Sequence, residues 1–403
     1  MNIPLLNLSR QHEVIQSKLT EALLKVVDSN NYIMGAEVRA FEAEIAAFLG
    51  CRHAISCGNG TDALVLSLKA LGIGAGDEVI TSPFTFFATA EAVSAVGATP
   101  VFVDVDPVTF NIDAAQIESK ITVRTKAILP VHVFGQPADM DALLALARRY
   151  RLHVVEDGCQ AIGASYKGSM AGTMGDIGCF SFFPTKNLGA LGDGGLIVTN
   201  DDRLAAILKG LRVHGSGPAG LQALKAMQQL GGGADNASTV RHPEADDPGA
   251  KYYNYVVGAN SRLDEIQAAV LRIKLPHLKN WNEDRIRLAD VYRRELSVSC
   301  LQHPALAEDV IHVHHLYIVQ SACREELISY LNEKGIATGI YYPVPLHLQK
   351  VYERLGYREG DLPVAEYLST RTFALPLYPG MSDSEQNYII AAILQFEKER
   401  MPQ

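Results

Sequence analysis

The chain lacks several features, and each gap sets a class of function aside. No Cys-x-x-C pair occurs, and the six cysteines stand apart at 51, 57, 159, 179, 300 and 323. That spacing argues against a zinc knuckle or a dense disulfide framework. So few thiols in 403 residues read as reduced, which makes a cytoplasmic location the expectation. No run of about 18 apolar residues is present, so no transmembrane helix is expected. The opening stretch from Met1 to Arg10 has no charged segment followed by an apolar one, so no secretory leader is expected. Lys and Arg number 36 against 45 Asp and Glu, a net charge of −9. That balance argues against a nucleic-acid or anionic-membrane partner. No internal repeat or low-complexity tract is visible.

What remains is a soluble composition, 48% hydrophobic and 20% charged, long enough for one large domain and a smaller one. Apolar spacing predicts helices over 13–28 and 35–49, and another from Ala63 to Leu71. Short apolar runs follow at Glu78–Thr81, Thr99–Val103, Ala127–Val133, His153–Glu156, Ile177–Phe182 and Gly195–Thr199, with helical patterns at 85–96, 113–120 and 138–150 between them. Strands alternating with helices predict a mostly parallel α/β sheet, with ligands at the carboxyl ends of its strands. Residues 215–250, rich in Gly and Pro, read as a long insertion with one helical patch at 221–230. A long helix is expected over 261–297, bent at Pro276. Beyond it, strands at Ile311–Gln320 and Thr338–Tyr342 alternate with helices at Arg324–Lys334 and Ser382–Lys398. The expected division is a large domain over 1–265 and a small α+β domain over 266–403.

Two segments carry the chemistry. Leu152-His-Val-Val-Glu-Asp157 ends an apolar strand in a carboxylate, and Ser181-Phe-Phe-Pro-Thr-Lys186-Asn-Leu-Gly189 holds a lysine in a glycine-rich turn. A lysine that can form a Schiff base, and a carboxylate that keeps a pyridine nitrogen protonated, are what pyridoxal phosphate (PLP) requires of a protein. Burial of its stem would lower the Lys186 pKa, as such a role needs. Glu156 competes with Asp157, but adjacent strand residues face opposite sides. Gln160 could approach the phenolic oxygen of the ring. Gly58-Asn59-Gly60-Thr61-Asp62 precedes a helix, whose free N–H groups bind phosphate, and Ser181 could add a hydroxyl. One phenylalanine of Phe84-Thr85-Phe86-Phe87 could stack on the ring. Each feature alone has an ordinary alternative, such as a helix cap, a core ring or a surface lysine. Together they point to one cofactor and to no metal.

With these residues in hand the chain resembles the DegT/DnrJ/EryC1/StrS sugar aminotransferases. The likeness runs over about 3–395 and includes Tyr32-Ile-Met-Gly35, Pro130-Val-His-Val-Phe-Gly135, Gly258-Ala-Asn-Ser-Arg262 and Tyr342-Pro-Val-Pro-Leu-His347. It implies the aspartate-aminotransferase-like α/β fold (fold type I of PLP enzymes), with Lys186 as the Schiff-base lysine, Asp157 on the ring nitrogen and Gln160 on the phenolic oxygen. It implies Phe86 as the stacking ring, Gly60, Thr61 and Ser181 as phosphate ligands, and Asn260 lent to the neighbouring subunit of a homodimer. It also implies a nucleotide-linked keto sugar as substrate and L-glutamate as amino donor. The segments at 251–264 and 341–347 look most similar to members acting at C-3 of dTDP- or UDP-linked sugars. Arg212, His214 and His347 are candidate substrate contacts. Gly158-Cys159 stands where the family often has two alanines, and Asn254 where many members have histidine. The alternatives are a C-4 keto-sugar, cyclitol or aminobenzoate-precursor aminotransferase, and a non-catalytic PLP-binding regulator.

Overall fold

The computed structural model describes residues 1–230 and 250–400. The helices are α1 (Leu8–Glu13), α2 (Gln16–Ser29), α3 (Ala36–Leu49), α4 (Gly60–Ala70), α5 (Ala88–Ala95), α6 (Ala114–Ile117), α7 (Met140–Tyr150), α8 (Asp202–Leu211), α9 (Gly217–Gln229), α10 (Glu265–Lys274), α11 (Leu278–Glu295), α12 (Arg324–Glu333), α13 (Pro363–Arg371) and α14 (Asp383–Arg400). The strands are β1 (His53–Cys57), β2 (Glu78–Thr81), β3 (Thr99–Phe102), β4 (Thr125–Leu129), β5 (His153–Asp157), β6 (Ser165–Tyr166), β7 (Ser169–Met170), β8 (Ile177–Ser181), β9 (Gly195–Thr199), β10 (Val310–Ile311), β11 (Tyr317–Gln320) and β12 (Thr372–Leu375). Among the described residues no helix is long and apolar enough to cross a membrane.

The main sheet has seven strands in the order β1-β9-β8-β5-β4-β2-β3. From β8 through β3 every pair is parallel, whereas β9 runs antiparallel to both its neighbours, β8 and β1. Two reversals cancel, so β1 points the same way as β5 and β8. The carboxyl ends of all three therefore meet at one edge, where a ligand site in an open α/β sheet is expected. β2, β5 and β9 are buried along their length apart from a half-buried His153. Their centres, Val79-Ile80, Val154-Val155 and Leu196-Ile197-Val198, are apolar, as strands covered by helices on both faces require.

Helix starts follow local chemistry. The Asn59 side chain accepts the Asp62 N–H at 2.8 Å and opens α4, the helix next to the site. Asp201 does the same for α8, from Arg203 and Leu204. The long C-terminal helical stretch is bent as expected, with α10 and α11 joined by a tight turn over Leu275–His277 that contains Pro276.

Four expectations need correction. The run Ile311–Gln320 is two strands, because the backbone of 312–316 bonds elsewhere: Val313 N to Gly135 O at 3.0 Å and His315 N to Phe134 O at 2.8 Å. Thr338–Tyr342 forms no strand and makes one bridge, Gly339 with Ala374. Residues 217–229 are a formed helix packed on α8, close enough that a Cβ at Gly210 would lie 2.5 Å from that of Ala223. The rest of the expected insertion, 231–249, lies outside the described residues. Finally, packing does not divide at 265. Val270 of α10 packs with Ile15 and Leu19 of the first helices, while Ile3 lies in one core cluster with Leu288, Tyr292, Phe373 and Ile389.

Candidate active site

A cavity of about 650 Å³ opens at the shared carboxyl ends of β1, β5 and β8. Asp157, the last residue of β5, lies in its wall and is 4% exposed. Its carboxylate accepts the Thr89 hydroxyl at 2.8 Å and the Cys159 N–H at 3.2 Å. Because the Thr89 hydrogen goes to Asp157, Thr89 Oγ1 accepts in turn from Thr85 at 3.3 Å. Glu156 points the other way, as strand alternation requires. Its carboxylate accepts the N–H groups of Gly172, Met174 and Gly175, and His132 Nε2 at 2.8 Å. His132 Nδ1 accepts from Ala138 N, so the ring hydrogen sits on Nε2. Glu156 thus organises the loop behind β5, and Asp157 alone of the two faces the cavity.

Lys186 lines the same cavity from the turn after β8. Its N–H closes the turn on Phe183 O at 2.8 Å, and Gly189 is held so closely that a Cβ there would lie 2.2 Å from Pro184 O. Burial pushes the Lys186 amine below its ordinary pKa, against the opposing pull of Cys159 and Asp157. A neutral amine is the form that attacks carbonyl carbon or takes a proton.

Gly60 and Thr61 bring the N-terminus of α4 to the cavity, and Ser181 reaches it from the end of β8. A Cβ at Gly60 would lie 2.8 Å from the Ser181 Cβ and 3.0 Å from the Cys159 sulfur. Glycine is therefore what lets this N-terminus close on its neighbours, and the N–H groups of Gly60 and Thr61 have no partner among the described residues. Of the three phenylalanines after β2, Phe86 lines the cavity and is 59% exposed. Phe84 is buried against Phe110, Phe134 and Tyr342, and Phe87 packs on Tyr352. Gln160 lies in the wall, with its amide donating to Tyr342 Oη at 2.8 Å.

The other candidates lie away from this cavity. Asn260 is exposed on the surface, while its neighbour Ser261 is tied to the α4 turn, donating to Asp62 at 2.6 Å and accepting from Gly58 N at 2.9 Å. Arg212 is buried elsewhere and committed to the Glu42 carboxylate and Ser56 O, so it is not free to hold a substrate in this cavity. His214 is an exposed residue at φ 63°, its carbonyl accepting from Asn254 at 2.9 Å. His347 is fully buried, paired with Glu366 at 3.0 Å.

The lining residues left without a role in the sequence include Thr89, Tyr342 and His315. Asn187 donates to Asn282 Oδ1 and Val313 O, so its own Oδ1 must accept the His315 Nδ1 hydrogen at 3.2 Å. Burial, then the charges of Lys186 and Arg285, hold the His315 pKa well below its usual value. The ring is neutral and presents Nε2 as an acceptor.

The set fits PLP. An amine and a carboxylate share one cavity with a helix N-terminus and a hydroxyl, and the volume is in the range of cofactor sites. The DegT/DnrJ/EryC1/StrS aminotransferase profile matches residues 13–394. The chain belongs to this family. It is 46% identical to a "pleiotropic regulatory protein" of Geobacillus stearothermophilus, covering 98% of this chain and 99% of that one. It is 43% identical to a UDP-N-acetyl-3-dehydro-alpha-D-glucosamine 3-aminotransferase of Acidithiobacillus ferrooxidans, covering 98% and 97%. The crystal structure of S. venezuelae DesV in complex with a ketimine intermediate superposes on this aminotransferase with a TM-score of 0.88, at 41% identity over the whole of both chains.

Proposed function

We propose that this aminotransferase uses PLP to move an amino group from L-glutamate to C-3 of a keto sugar carried on a dTDP or UDP group. The observation that carries the reading is the convergence of Lys186, Asp157 and the α4 N-terminus on one cavity. The name of the Acidithiobacillus ferrooxidans relative supports the sugar and the carbon.

Bound PLP would supply an electron sink for charge developing at the substrate carbon. Asp157, with two donors fixing its carboxylate, would hold the pyridine nitrogen protonated. The N–H groups of Gly60 and Thr61, with the Ser181 hydroxyl, would bind the phosphate. Phe86 would cover one face of the ring. Lys186 Nζ would hold the cofactor between turnovers, then take and return the proton at the reacting carbon. Asn260, exposed and three residues after the 90% exposed Val257, would serve the site of a second copy in a homodimer. Arg212 and His347, buried and paired, are dropped from the substrate site, and His214 is kept only for a site shared with that copy.

A sensor that binds PLP without turnover is the second reading, favoured by the name of the 46% identical relative. The absorption spectrum of the purified protein with PLP separates the two. A visible band that L-glutamate converts to the pyridoxamine form, and that a 3-keto nucleotide sugar restores, is the expected result. A band indifferent to every amino donor favours the sensor, and no band at all after incubation with PLP refutes the cofactor.

A further inference from the structure

We propose that the Tyr342 hydroxyl is a further cofactor ligand, accepting from Gln160 and donating its own hydrogen to the phenolic oxygen of PLP. The inference rests on the PLP reading above. Gln160 Oε1 accepts the Phe134 N–H at 2.8 Å. A backbone N–H only donates, so this contact fixes which end of the amide is oxygen. Gln160 Nε2 then faces Tyr342 Oη at 2.8 Å, and an amide nitrogen only donates. Tyr342 Oη is thereby the acceptor, and its own hydrogen has no acceptor among the described residues.

The ring is not free to turn away. It stacks on Phe134 at 5.9 Å and 15°, and meets Phe84 edge-on at 6.0 Å and 83°. Only rotation about the C–O bond remains, and Tyr342 lines the cavity that holds Asp157 and Lys186. Burial raises the phenol pKa, so the group stays a donor at any working pH. The second amide hydrogen of Gln160, which points away from Tyr342, is also unpaired among the described residues. A hydroxyl donor held in this wall, with its lone pair taken by Gln160, suits an oxygen that bears negative charge. With the nitrogen end of the pyridine assigned to Asp157 and the aldehyde carbon to Lys186, the phenolate oxygen of PLP is the acceptor of that description.

A donor to that oxygen favours the state in which the oxygen carries the charge and the Lys186 nitrogen has lost its proton. Removing the donor should therefore move the pH titration of the visible band upward. For Tyr342→Phe the expected shift is roughly one pH unit, with PLP bound about tenfold more weakly by titration of the apoenzyme. Equal melting temperatures of the two apoproteins would show that the fold is retained. Gln160→Met, which removes the anchor and leaves the ring, should shift the titration in the same direction, and it decides the case if Tyr342→Phe does not fold. A wild-type protein that shows the band, with variants that titrate as it does, would overturn this inference alone. A wild-type protein with no band would overturn the PLP reading as well.

Discussion

Lys274 gives the sharpest test of the electrostatics around the Lys186 turn. It ends α10, is 2% exposed, and spends its charge on one carbonyl, Gly189 O at 2.7 Å. No carboxylate of the described residues pairs with it, and His12, the titratable neighbour that feels it, has its own pKa lowered by burial and by this charge. Burial pushes the Lys274 pKa down from 10.5 to about 8. The sign follows directly. Below pH 8 both folded and unfolded chains hold the proton, and the folded state carries the full penalty of a buried cation. Between about 8 and 10.5 the unfolded chain binds the proton more tightly, so stability rises with pH as the penalty lifts. The difference of about 2.5 units is worth roughly 3 kcal/mol, of which about 2.5 kcal/mol falls between pH 7 and pH 10. Lys274→Met removes the titration and leaves Gly189 O unpaired, a loss that does not depend on pH. Urea unfolding of both apoproteins at pH 7, 8, 9 and 10 should then show wild type gaining on the variant by about 2–3 kcal/mol across the series. Parallel pH profiles would refute the argument, since they would mean that Lys274 keeps an ordinary pKa and is not a buried cation.

Three further outcomes follow from the site. Gly60→Ala puts a methyl 2.8 Å from the Ser181 Cβ, and its cost of about 1–3 kcal/mol should weaken PLP binding roughly 10–100-fold in a titration of the apoenzyme. Asp157→Asn keeps an acceptor for Thr89 but loses the charge, so kcat at full PLP occupancy should fall by roughly 10–100-fold, and an unchanged kcat would remove Asp157 from the ring nitrogen. Arg212→Met strands the Glu42 carboxylate and should cost about 3–5 kcal/mol in urea unfolding, while the folded fraction still binds PLP with wild-type affinity because Arg212 does not line the cavity.

The parts of the site that the sequence displays are those whose position is set within a few residues. Asp157 ends a buried strand with an apolar centre at Val154-Val155, Gly60 and Thr61 open a capped helix, and Lys186 sits in a turn closed by Gly189. Such features depend on the local backbone, so residue order alone places them at strand ends. Direction over longer range is different. Arg212 reads in the sequence as a candidate substrate contact, yet it caps α8 and turns inward to Glu42, a partner 170 residues away. Nothing in its neighbours encodes that choice. The strand misread at 311–320 has a similar origin, because His314 sits at φ 44° and the residues around it donate to Phe134 and Gly135 rather than to a neighbouring strand. That diversion is also what carries His315 to the cavity wall beside Asn187. Tyr342 is held at the site by Gln160, 182 residues away, and by the rings of Phe134 and Phe84. The segments that sequence periodicity handles worst are thus the ones that close the cavity. They leave the regular elements in order to reach it, and the contacts that hold them there come from elsewhere in the chain.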